Sequence, residues 1–294
     1  PNGATVPTVD ITVKNSGNLT VAVAPSTPAT GAVYWGQNGA EFTKIRFTAT
    51  DEGQYLERVN FYTGDTAANL TANINTLSMT YKNKAGATLT ASGNPNTPEG
   101  SVSFTFTGDN RPYVPADSSL DVTVKADMKT KAQGATNAVT FSVDFSGNAA
   151  DDFRSVGESG TVTDGSDGDI VNRAGNAIYV YRVFPKFTNL SASSGGNAIG
   201  GNKEVIRFTI EAVGLIDSKL FFDGGTINAS GSIFFDTVAS GQANANMTLT
   251  FIGADDGITY GTDVLGTAQS GTDMVASLSF GTSGTGQDLE ISGG

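Results

Sequence analysis

Apolar and polar residues alternate with a period of two through most of this chain, broken roughly every dozen residues by Gly, Asn, Asp or Pro. Such a pattern leaves little room for anything but short β-strands, because successive strand side chains point to opposite faces. The clearest segments in the first half are "NLTVAV" (18–23), "TKIRFTAT" (43–50), "ERVNFYTG" (57–64), "LSMTYKN" (77–83), "SVSFTFTG" (101–108), "LDVTVKAD" (120–127), "AVTFSVDFSG" (138–147) and "IYVYRVF" (178–184). The second half adds "KEVIRFTIE" (203–211), "SKLFFDG" (218–224), "GSIFFDTV" (231–238), "NMTLTFIG" (246–253), "MVASLSF" (274–280) and "DLEIS" (288–292). Val, Ile, Thr, Phe and Tyr dominate them, as strands prefer. No stretch shows helical spacing. The 37 glycines among 294 residues supply the turns, and the sequence predicts an all-β chain of sandwich domains.

The two halves resemble one another. "TKIRFTATDEGQYLERVNFYTGD" (43–65) matches "KEVIRFTIEAVGLIDSKLFFDGG" (203–225), with Ile-Arg-Phe-Thr at 45–48 and again at 206–209. "VSFTFTG" (102–108) corresponds more loosely to "MTLTFIG" (247–253). Two tandem Ig-like sandwiches are therefore expected, at 18–184 and 185–294, behind an N-terminal extension at 1–17. The boundary is placed at "VFPKF" (183–187) as a short extended hinge, because Pro185 cannot donate to a sheet ladder. Residues 147–176 read as a turn-rich excursion from the first sandwich.

The ends of the chain do not balance. With Ile45 and Ile206 as register marks, "IYVYRVF" has no counterpart after "DLEIS", so the second domain lacks a last strand. "TVDITVK" (Thr8, Val9, Asp10, Ile11, Thr12, Val13, Lys14) is a well-formed strand ahead of the first domain. Its Ile11 precedes Ile45 by 34 residues, as Ile178 precedes Ile206 by 28. An open sandwich exposes apolar side chains and unpaired backbone groups. A strand donated by another copy would bury Val9, Ile11 and Val13, about 1.5–3 kcal/mol each, and add ladder hydrogen bonds of roughly 1 kcal/mol each. The expected acceptor is a groove at Met247, Leu249, Phe251, Leu289 and Ile291. Three other readings stay open: the N-terminal strand folds back on its own domain, the chain is a segment of a longer array, or the second domain simply has fewer strands.

Composition narrows the chemistry. The chain has no Cys and no His, which removes thiolate and Ser-His-Asp catalysis and most transition-metal sites. Carboxylate pairs survive that cut, but no spacing sets two of them across a sugar, and no enzyme activity is expected. With 17 Lys+Arg against 29 Asp+Glu, a formal charge of −12 disfavours nucleic acid as a partner. Nothing approaches the about 20 apolar residues of a membrane span. The start at Pro1 without Met is consistent with a removed leader. No cofactor is expected apart from a candidate calcium site in "TDGSDGD" at Asp164, Asp167 and Asp169, where solvated Asp-Gly turns are the plainer reading. Tyr34 and Trp35, the latter the sole tryptophan, are a candidate stacking platform for a glycan, against the plainer reading of a packed aromatic pair.

The runs "NLTVAV…TP…EFTKIRFTAT", "VPADSSLDVTVKADM" and "NAIYVYRVFPKF" resemble the Ig-like repeats of large bacterial surface and adhesin proteins, over residues 18–190. The resemblance implies an extracellular or cell-surface, structural or adhesive role, with glycans or a cell surface as possible partners. Filament subunits that assemble by donor-strand complementation offer an analogy of mechanism, with self-association head to tail.

Overall fold

The computed structural model describes residues 17–63, 67–96, 100–198, 201–222, 233–237, 247–252, 259–265, 274–278 and 289–293. The chain is nearly all β and divides into two compact units between Arg182 and Val183. The expected donor strand, residues 8–14, lies outside the described residues.

In the first unit the chain begins with β1 (Asn18–Val23), β2 (Gly31–Tyr34), β3 (Ala40–Thr50) and β4 (Gln54–Tyr62). A short helix α1 (Ala67–Asn73) leads into β5 (Ile74–Lys82), β6 (Thr88–Gly93), β7 (Ser101–Thr105) and β8 (Tyr113–Val114). Then come β9 (Ser118–Met128), β10 (Val139–Phe141), β11 (Asp144–Ser146), β12 (Phe153–Gly157), β13 (Val162–Asp164) and β14 (Ile178–Tyr181). One sheet has the order β1-β3-β9-β5-β6, another β10-β14-β2. The third centres on β4, with β11 and β12 along one edge, β7 and β8 along the other, and β13 outside β12. All pairings are antiparallel except β14 with β2.

Period-two burial follows the sequence pattern. Leu120, Val122, Val124, Ala126 and Met128 of β9 are buried, and Asp121, Thr123, Lys125 and Asp127 between them are not. Inward-facing rings join the sheets: Phe145 of β11 lies 5.7 Å from Phe47 of β3, 5.7 Å from Phe153 of β12 and 6.4 Å from Phe61 of β4. All four rings are fully buried. On the outer face of β3 and β9, Arg46 makes a two-pronged contact with Asp121 at 2.6 and 2.8 Å.

The second unit contains β15 (Val183–Ala198), β16 (Gly201–Gly214), β17 (Lys219–Phe222), β18 (Ile233–Thr237), β19 (Met247–Ile252), β20 (Thr259–Leu265), β21 (Met274–Leu278) and β22 (Leu289–Ser292). Among the described residues these pair in four two-stranded antiparallel ladders: β15–β16, β17–β22, β18–β21 and β19–β20. One parallel bridge, Ala212 with Gly293, links the first two ladders.

Four expectations change. "VFPKF" is no hinge: residues 183–187 pair with 214–210 as the start of β15. Pro185 is tolerated there beside β16, the one partner strand of β15 among the described residues, where its missing N–H can face away from the ladder. "IYVYRVF" is consequently split, with Ile178–Tyr181 in the first unit and Val183 onward in the second, two residues before the expected boundary at 184/185. The excursion 147–176 holds two strands, β12 and β13, because Phe153 and Ser155 are drawn into the core beside β4. "AVTFSVDFSG" is two strands rather than one: β10 pairs with β14 and β11 with β4, so the chain changes sheets near buried Val143. The helix α1 has no amphipathic repeat long enough to read in seven residues; it is anchored by buried Leu70 and by Asn73, whose Oδ1 accepts the Thr136 N–H at 2.9 Å.

Candidate functional site

The second unit offers its strand edges as the candidate site. A two-stranded ladder alone is marginal in water and needs further strands or a packed face. Its described side chains also leave apolar area in solvent: Leu190 is 77% exposed, Ile216 79%, Ile252 57% and Phe187 51%. Phe187 meets Phe208 at 5.9 Å across β15–β16, yet remains half exposed.

The five expected acceptor residues do not share one ladder. Met247, Leu249 and Phe251 lie on β19, opposite Leu265, Asp263 and Gly261 of β20. Leu289 and Ile291 lie on β22, opposite Phe222 and Leu220 of β17. The structure therefore places them on two separate ladders, each with an outer edge that has no partner strand among the described residues.

At the other end, the backbone is held where the N-terminal segment meets the first unit. The Glu52 carboxylate accepts the N–H of Gly17 at 3.0 Å and of Ser159 at 2.8 Å. A Cβ at residue 17 would run into Glu52 Cγ and the Thr50 carbonyl, so this close approach requires glycine. Asn18 Nδ2 donates to Asp169 Oδ2 at 3.1 Å, and Arg173 Nε donates to the Val21 carbonyl at 2.6 Å. The outer edge of β1 is thus occupied at Val21 by a guanidinium.

The N–H bonds from Gly17 and then Ser159 hold the Glu52 carboxyl below the ordinary carboxylate range. A depressed folded-state value means that stability is present above the unfolded value and is lost as pH falls through the folded one. Glu158, held down by Lys84 and Tyr113, and Asp121, held down by Arg46, act in the same direction. Stability of the first unit is expected to fall on acidification below the ordinary carboxylate range. Thermal melts at pH 7 and pH 3 should show a smaller difference for Glu52→Gln than for wild type; an unchanged difference would remove Glu52 from this account.

Trp35 is not a ligand platform. Only 8% of it is exposed, it packs in the core cluster, and its Nε1 donates to the Thr136 carbonyl at 3.4 Å. Tyr34 is half-buried, and its backbone N–H is taken by Gln37 Oε1 at 3.2 Å. A stacked aromatic pair stands instead on β14, where exposed Tyr179 and half-buried Tyr181 have rings 6.3 Å apart and 6° from parallel. Their i, i+2 spacing was the available signal, since it puts both rings on one face of a strand.

The three aspartates of "TDGSDGD" do not gather at one point. Asp164 Oδ1 accepts both the N–H (2.8 Å) and the hydroxyl (2.5 Å) of Ser166; Asp167 Oδ2 accepts the Asp164 N–H at 2.8 Å; Asp169 faces Asn18. These are turn contacts, and among the described residues no three acidic groups gather at a cation site. No helix among the described residues is long and apolar enough to cross a membrane.

No known family model matches this chain, and no curated protein matches it.

Proposed function

We propose that the protein is an extracellular structural subunit of two Ig-like sandwiches that polymerises head to tail, each copy donating residues 8–14 to the second unit of the next. The observation that carries this reading is the contrast in pairing. The first unit knits its strands into sheets around one core, while among the described residues the second pairs its strands two by two and exposes Phe187, Leu190, Ile216 and Ile252. A seven-residue donor strand spans about 23 Å, enough to run the length of β19 or β22. The guanidinium on Val21 supports donation over return, because it occupies the edge of β1 beside which a folded-back strand would lie. Donor and acceptor belong to opposite ends of the chain, so the contact is heterologous and propagates as a filament unless it closes into a ring.

The test is light scattering on the full chain and on a chain starting at Asn18. Strand donation requires large linear assemblies from the first, monomers from the second, and binding of a "TVDITVK" peptide to the second. Monodisperse monomers of equal stability from both would reject it and favour an adhesin segment that does not self-assemble.

A further inference from the structure

The outer face of β4 carries a pairing that sheets avoid. Arg58 and Arg154 stand directly opposite one another on antiparallel β4 and β12, where like charges are destabilising. A β-bulge creates this arrangement. The register steps from Arg154–Arg58 to Ser155–Leu56, leaving Glu57 as the extra residue. Glu57 and Arg58 are both left outside the core while Leu56 and Val59 are fully buried. Bulges commonly re-aim side chains next to functional sites.

Glu57 then organises two guanidinium groups. Its Oε2 accepts Arg154 Nε at 2.9 Å and its Oε1 accepts Arg111 Nη1 at 3.0 Å. Arg111 is further fixed by its Nε bond to the Gly108 carbonyl at 2.9 Å and by stacking 4.3 Å from the Tyr55 ring centre. Arg58 Nη1 reaches the carbonyl and carboxylate of fully exposed Asp151, at 3.1 and 3.3 Å. Three of the chain's seven arginines thus line one cleft of about 300 Å³, with Glu57 as its only acidic lining residue. Thr105, the β7 partner of Arg58, and Thr107 also line it. Neither terminal nitrogen of Arg154 nor either threonine hydroxyl has a hydrogen-bond partner among the described residues.

With Glu57 and Asp151 as their partners the three arginines leave the cleft a net charge of +1, a local exception for anions on a protein of net charge −12. Guanidinium forks match planar or trigonal oxyanions. An aspartate or glutamate side chain would engage the arginines and leave both hydroxyls unpaired, whereas an acidic sugar brings an oxyanion and hydroxyls on one ring. We propose that this cleft binds an acidic saccharide through its carboxylate or sulfate group. The site lies wholly in the first unit and does not depend on strand donation.

Calorimetric titration of the full chain with a uronate disaccharide, a sulfated disaccharide, a neutral disaccharide, inorganic sulfate and a glutamate-rich peptide tests this. At least one acidic disaccharide is expected to bind at least tenfold more tightly than the neutral one, and which of the two prevails identifies the oxyanion. Arg154→Gln and Arg58→Gln should each weaken binding at least tenfold, while Arg46→Gln, remote and paired with Asp121, should not. Because it relieves the opposed arginines, Arg58→Gln should melt no lower than wild type; a lower melting temperature would make the pair structural and overturn the proposal. So would binding of neither acidic disaccharide, binding unaffected by Arg154→Gln, or a response to inorganic sulfate or the acidic peptide alone.

Discussion

Replacing Phe145 with Ala is expected to destabilise the first unit by about 3–5 kcal/mol, at the level of a large aromatic-to-alanine change in a closed core. Phe145 is fully buried and touches rings from three other strands, so no neighbour can fill the space without leaving its own sheet. The strand that carries it is only three residues long, and its backbone alone cannot hold the sheets together. Trp35 gives a clean readout, being the sole tryptophan and packed in the same core. Urea titration followed by its fluorescence should show a lower midpoint with an unchanged slope. A shift worth less than about 1 kcal/mol would mean that this core repacks far more readily than its ring geometry allows.

Ile11→Asp is expected to abolish assembly at concentrations where the wild-type chain polymerises. Under strand donation Ile11 is the central apolar residue of the donated strand, so the change forfeits about 1.5–3 kcal/mol of burial and adds the cost of burying a carboxylate. Together these exceed about 2.8 kcal/mol, equivalent to a hundredfold loss of affinity. Thr12→Asp alters the opposite face of the same strand and should leave assembly within a few-fold of wild type. Sedimentation of both variants separates the cases: equal loss would point to charge rather than strand insertion, and no loss in either would remove residues 8–14 from the interface.

These two experiments address different kinds of information. The residues buried along β9 and β3 were legible because alternation is a local property: once the backbone is extended, every second side chain shares a face. For the same reason the outward position of Lys125 and the cross-strand partnership of polar residues such as Arg46 and Asp121 agree with the written pattern. Trp35 was ambiguous because a ring at a strand end is core or surface depending on what covers it, and here the Thr136 segment does.

The sequence by itself determined that the chain is nearly all β, roughly where the longer strands of the first unit lie, and which of their faces turns inward. Tertiary structure alone decided which strands are neighbours. It divided "AVTFSVDFSG" between two sheets, recruited β12 and β13 from a stretch of turns, and carried "VFPKF" into a hairpin. It also opposed Arg58 to Arg154 across 96 positions of chain through one extra residue at Glu57. The physical reason is that strand pairing and bulges are set by long-range register. A single-residue slip exchanges the faces of a strand without changing a letter of its sequence.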